Sequence, residues 1–265
     1  MPVTPLPLTY ETRISPADGM TQVFVRAGTL HMGGLDVYAD DDELPYHDVS
    51  MSAFWMDQTE VTNGMYGLCV QAGACRPPQK PSSAQRPAYF GTPEFQDYPV
   101  VQVTWGDAQT YCTWAGRRLP TEAEWERAAR GDDQRTYPWG DEPPSARYAN
   151  FNTLIRDTSR VGSYSAGASP FGALDMAGNV WEWVSDFYAS NYYTVSPAAD
   201  PTGPVDNFGR YQRVIRGGSF QDEFISLRLS NRGNELGPNP NAAFGSPEIE
   251  GKSSVKIGFR CALDP

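Results

Sequence analysis

Apolar and polar positions change period several times along this chain, and each change marks an element. Residues 21–34 (TQVFVRAGTLHMGG) alternate loosely and stop at Gly-Gly, which predicts a strand and a turn. The stretch 43–61 (ELPYHDVSMSAFWMDQTEV) stays extended, with aromatics on alternate positions. At Thr62 the period lengthens. NGMYGLCVQAG then sets Tyr66, Leu68, Cys69 and Val70 on a partly apolar face behind a capping threonine, which predicts a helix. Residues 75–87 (CRPPQKPSSAQRP) can only be loop. A second helix is predicted over 104–116 (TWGDAQTYCTWAG), capped by Thr104 and closed by Gly116. The clearest helix is LPTEAEWERAARG, 119–131. Thr121 and Glu124 form a capping box, Glu122 suits the positive end of the dipole, Arg127 and Arg130 suit the other end, and Gly131 stops the helix. From 132 to 265 the pattern is short strands between Gly, Pro, Asn and Asp turns. The expectation is one α+β domain over 1–265, with 1–20 as an extended lead-in, about three helices and an irregular antiparallel sheet.

Composition narrows the classes. The chain has 265 residues, 40% hydrophobic, enough for a sizeable core, with 25 Gly and 23 Pro spread without a period. A net charge of −11 argues against nucleic acid or an anionic membrane as partner and leaves room for cations. No apolar run is long enough for a membrane span. The N-terminus does not read as a signal peptide, which favours a cytoplasmic location. With two histidines, His31 and His47, a histidine-rich iron, copper or zinc centre is not expected, and His47 reads as a structural histidine.

Two kinds of chemistry-bearing residue remain. The run DMAGNVWE (175–182) holds Asp175 and Glu182 around a Gly-Asn turn. Turn carbonyls and two carboxylates can offer oxygen ligands to Ca²⁺; equally, both acids can cap turns or pair with arginine. YANFN with Asp157 is a second oxygen-rich loop. Cys69 and Cys75 enclose a short turn in which a small disulfide is feasible, while Cys112 and Cys261 read as buried structural cysteines. Glu122 and Glu124 are explained by the first helical turn, so no catalysis is assigned to them.

Several stretches then converge. AGTLHMGG, FWMDQTEVTNGMY, GRRLPTEAEWERAARG, YPWGD, MAGNVWEWVSD, RVIRGGSF and IGFRCA occur in order over nearly the whole chain. Together they resemble the formylglycine-generating enzyme (sulfatase-modifying factor) family, whose fold is a variant of the C-type lectin type. The resemblance implies two structural calcium sites. One comprises the Asp175 and Glu182 side chains with the Gly178 and Val180 carbonyls. The other comprises Asn150, the Phe151 carbonyl, Asp157 and the Ser159 carbonyl. It also implies a Cys112–Cys261 disulfide, on the order of 4–5 kcal/mol if the bond forms.

The departure from the family pattern follows Gly217-Gly218-Ser219. The oxidases of the family place there two copper(I)-binding cysteines; GGSFQDEFISLRLSNR instead has Asp222 and Leu227. Neither replaces a thiolate as a soft ligand. The LRLSNR continuation resembles the non-oxidase branch, whose members are often fused to kinases, proteases or other modules, and this chain could be a piece of such a fusion. The resemblance then implies a non-catalytic binding or scaffold module, taking a protein or small ligand on the surface after Gly217-Gly218: Gln221, Asp222, Glu223, Phe224, Arg228, Asn231 and Arg232, with loop 233–254. The alternative is an oxidoreductase of the same superfamily using another site, as in its iron-dependent sulfoxide synthases.

Overall fold

In the computed structural model, residues 10–205, 209–243 and 246–265 are described. The first nine residues of the N-terminal lead-in, and residues 244–245 of loop 233–254, lie outside them.

The three predicted helices form where their caps place them. α1 (Asn63–Gln71) starts at Thr62, whose side chain accepts from the Met65 amide. α2 (Trp105–Trp114) and α3 (Glu122–Arg130) each carry a full capping box, Thr104 with Asp107 and Thr121 with Glu124. Each box satisfies amides that the helix itself leaves unpaired. Gly131, with φ of 80°, accepts the turn that ends α3.

Among the described residues ten strands, none longer than seven residues, make three sheets. β1 (Thr12–Ile14), β2 (Thr21–Val25), β5 (Phe54–Asp57) and β10 (Ala262–Leu263) form an antiparallel sheet in the order β1-β2-β5-β10. β3 (Gly28–Met32) and β4 (His47–Met51) form a two-stranded ribbon. The extended reading of 43–61 thus splits into two strands in different sheets. β6 (Trp181–Phe187), β7 (Gln212–Arg216), β8 (Gly233–Leu236) and β9 (Ile257–Phe259) form the third, ordered β8-β7-β6-β9. Its β6–β9 pair is parallel, so the sheet is not wholly antiparallel as expected.

β6 is the central strand. Pairing on both sides and cover on both faces bury Trp181 to Val184 without a break, where a half-exposed strand would alternate. One core lies between this sheet, α1 and α2, where Tyr66, Tyr111, Trp183 and Phe259 pack around Cys112 and Cys261. A second lies between α3, the first sheet and the third, built on Trp125, Met56 and Val214. Cys112 and Cys261 are bonded to each other, tying α2 to the segment between β9 and β10, and Cys69 is bonded to Cys75 at the end of α1.

Candidate functional site

Glu182 is the second residue of β6, opposite Arg216 of β7 and Gly258 of β9. Both its oxygens are taken. Arg260 donates Nε to Oε2 and Nη2 to Oε1, each at 2.7 Å, and Trp125 donates its indole N–H to Oε2 at 2.8 Å. Arg260, itself fully buried, sends its other N–H groups to the carbonyls of Asp57, Gln58 and Leu174. A guanidinium therefore answers the carboxylate between two tryptophans, in the fork geometry that makes such pairs strong.

Asp175 is differently placed. Its Oδ2 accepts from the Gly162 amide at 2.5 Å, and its carboxyl lies within hydrogen-bonding reach of Glu60. Glu60 accepts from the Asn179 side chain at 2.8 Å through Oε1, while its buried Oε2 has no partner. Burial first, then the charges of Asp175 and Glu182, push the Glu60 carboxyl well above the usual carboxylate range, and burial likewise raises Asp175. Glu60, Asp175 and Glu182 thus face one guanidinium, which Glu182 takes, and burial favours a proton on the remaining pair. Glu60 was not singled out in the sequence because its partner Asn179 lies 119 residues away, with the other two acids on either side of that asparagine. Among the described residues no three such side chains converge openly on one point, since Arg260 and Trp125 already close Glu182.

The turn before β6 explains its glycine. Gly178 has φ of 81°, and a Cβ there would lie 2.4 Å from the Asn150 carbonyl oxygen. That close approach lets Asn179 donate its amide to Asn150 and accept from Ser159 through its side chain. The second predicted ligand set is mostly committed elsewhere. Asp157 accepts from Ser83, Gln85 and Thr158, with Arg86 at 3.3 Å, and the Phe151 carbonyl accepts from Leu154. Of that set, Asn150 Oδ1 is left without a partner.

The segment after Gly217-Gly218 turns sharply, with φ of 96° and 74°; a Cβ on Gly218 would meet the Ser226 carbonyl at 2.9 Å. Asp222 accepts from the Trp181 indole at 2.9 Å and from the Ser219 amide and hydroxyl. Leu227 is fully buried with Tyr137, Ala149 and Ala177. Gln221, Glu223 and Phe224 are exposed. Arg228, Asn231 and Arg232, expected on the same surface, are not there. Arg228 is buried against Glu43 at 2.6 Å and Arg232 against Glu122 at 2.8 Å, while Asn231 reaches Glu43 at 3.4 Å. Their partners lie far away in sequence, and pairing makes burial of a guanidinium tolerable. Glu122 also exceeds its predicted role at the helix start. It is buried between Arg216 and Arg232, whose charges outweigh the cost of burial and hold its carboxyl below the usual range.

Comparison with known proteins agrees with this architecture. The model of the sulfatase-modifying factor enzyme 1-like domain matches residues 11–265. The chain is similar to the formylglycine-generating enzyme of Streptomyces coelicolor, 33% identical over 92% of this chain and 89% of that protein. It is similar also to serine/threonine-protein kinase pkn1 of Chlamydia pneumoniae, 35% identical over 91% of this chain but spanning 37% of the kinase. Among solved structures, PvdO from Pseudomonas aeruginosa superposes with a TM-score of 0.75 at 26% identity, covering 98% of this chain and all of PvdO. The C-type-lectin-like α+β fold is therefore that of these relatives, and the chain belongs to the sulfatase-modifying factor enzyme 1-like domain family.

Proposed function

We propose that the chain is a non-catalytic binding module on this fold, steadied by a structural calcium ion. One observation carries the first half. The two positions matched to the copper-binding cysteines hold a hydrogen-bonded carboxylate, Asp222, and a core leucine, Leu227. The four cysteines of the chain are joined as Cys69–Cys75 and Cys112–Cys261, so no thiolate remains as a soft ligand. The match to one segment of a kinase supports the use of such a domain as a module. Incubation with copper(I), oxygen and a CxPxR peptide tests this reading: no formylglycine is expected, and its formation overturns it.

The calcium reading fits at Glu60 and Asp175. Two buried carboxyls without a guanidinium of their own, one with an oxygen that meets no donor, suit a hard cation, which would displace the proton they hold. Asp175, Glu60 and the neighbouring turn carbonyls of Gly178 and Val180 would hold it, with Glu182 keeping Arg260. Calcium there would neutralise charge and lock the turn before β6.

A second reading, an oxidoreductase with a different site, is favoured by similarity to formylglycine-generating enzymes. Stoichiometric iron or copper in purified protein would support it; calcium alone supports the first.

A further inference from the structure

Loop 35–43 (LDVYADDDE) carries five acidic side chains and no basic one, yet its apolar residues point outward. Leu35 is 64% exposed, Val37 93% and Tyr38 49%. Phe224 of the surface discussed above is 38% exposed and meets the Tyr38 ring edge-on at 5.5 Å, so the two segments form one patch.

The loop is braced from beneath. The buried Arg228 guanidinium binds the Tyr38 carbonyl at 2.9 Å, Asp36 at 3.2 Å and Glu43 at 2.6 Å. The Asp36 carboxylate also accepts from the Tyr38 amide at 2.8 Å, and the Gly34 amide reaches the Glu43 carbonyl at 3.1 Å. These bonds fix the loop's course, so Leu35, Val37 and Tyr38 cannot turn inward without breaking charge-assisted hydrogen bonds. Contiguous apolar side chains held in water beside a polar rim mark interaction surfaces. Asp40, Asp41 and Glu223 are exposed around them. Beside Leu35 a cleft of about 220 Å³ is lined by Asp36, Tyr46, Gln134 and Thr136. Arg130 also lines it, but Glu126 at 2.8 Å and the Gly33 and Arg135 carbonyls occupy its guanidinium. Among the described residues the cleft therefore offers no free cation; the Asp36 carboxylate edges it, beside the Tyr46 hydroxyl and the Gln134 side chain.

We propose that this patch docks a basic polypeptide segment carrying a large apolar side chain, which covers Val37, Tyr38 and Phe224 while a lysine or arginine enters the cleft beside Asp36. This rests on the binding-module reading and names its partner class. The charge sign excludes nucleic acid and repels anionic membrane, and the net charge of −11 steers a cationic segment toward the protein. The surface is a ridge with a shallow cleft, unlike the concave pockets that enclose small ligands.

The test is fluorescence anisotropy with a labelled dodecapeptide of alternating lysine and leucine or phenylalanine. Its controls are a twin with glutamate for lysine and a twin with serine for the apolar residues. The basic apolar peptide should bind at least about tenfold tighter than either twin. A Val37→Lys, Asp41→Lys double variant should weaken it at least about tenfold, while Ile14→Lys, on the exposed edge of β1, should not. Equal binding to the double variant, stronger binding of the glutamate twin, or no binding of any peptide would overturn the proposal. If the glutamate twin binds and Phe224→Ala abolishes that binding, the module reading stands and the basic partner falls. Formylglycine production would remove the module reading whatever the peptides do.

Discussion

At the centre of the molecule one guanidinium, that of Arg260, faces three carboxyl groups. Glu182 takes the guanidinium, and the remaining pair, Glu60 and Asp175, is left with an unpartnered oxygen. Without a cation, Glu60 binds protons more tightly folded than unfolded, so its contribution is complete at low pH and lost as pH rises. Calcium at the proposed site would compete with those protons. Stability in calcium should therefore exceed that in EDTA by a margin that widens as pH rises from 5 to 8, up to about 2.7 kcal/mol at a hundredfold excess of calcium over Kd, read as a higher melting temperature. Glu60→Gln should raise stability in EDTA at pH 8 and erase most of the calcium increment; an unchanged increment would remove Glu60 from the site. Asp186 offers an independent check away from these carboxyls. Burial first, then the Glu122 charge, push its carboxyl up to about 7, while its oxygen accepts from the Glu122 amide and the Ser185 hydroxyl. Its contribution is complete below the unfolded value and disappears as pH rises through about 7. Asp186→Asn, which keeps an acceptor and removes the charge, should match the native protein near pH 4 and exceed it by on the order of 1–3 kcal/mol at pH 8. Chemical denaturation at both pH values would read this difference.

At the scale of elements, local signals and long-range pairings separate cleanly. The three helices were legible because a cap is written within four residues: Thr62, Thr104 with Asp107, and Thr121 with Glu124. Thr121→Ala should cost about 1 kcal/mol in thermal unfolding, since it frees the Glu124 amide in the helix that packs the second core. The sheets were less legible. Strands of two to seven residues leave little pattern, and the parallel β6–β9 pair joins segments more than seventy residues apart. The disulfides behave in the same way. Cys69–Cys75 closes six residues and could be read locally; Cys112–Cys261 closes 149 and came only with the family frame. Loop closure predicts the larger effect from the second: Cys112→Ser with Cys261→Ser should cost about 5 kcal/mol, against about 2 kcal/mol for the Cys69 and Cys75 pair. Equal losses in denaturant titration would contradict that ranking.

For the whole molecule, the fold and family followed from motifs spread over nearly the entire chain, whereas the site depends on partners brought together from far apart. Spacing within GNVWEW left calcium and arginine open for Glu182 because Arg260 lies 78 residues on. Arg228 and Arg232 read as surface residues because arginine usually is; Glu43 and Glu122, 185 and 110 residues distant, bury them. The consequence reaches function. LRLSNR braces the acidic loop from inside, and the exposed part of the proposed binding surface contracts to Gln221–Phe224 and the loop at 35–38. The central claim concerns Asp222 and Leu227, and mass spectrometry of a CxPxR peptide incubated with the protein, copper(I) and oxygen tests it most directly. The account predicts that the peptide cysteine remains a cysteine; its conversion to formylglycine above a protein-free control would contradict the account.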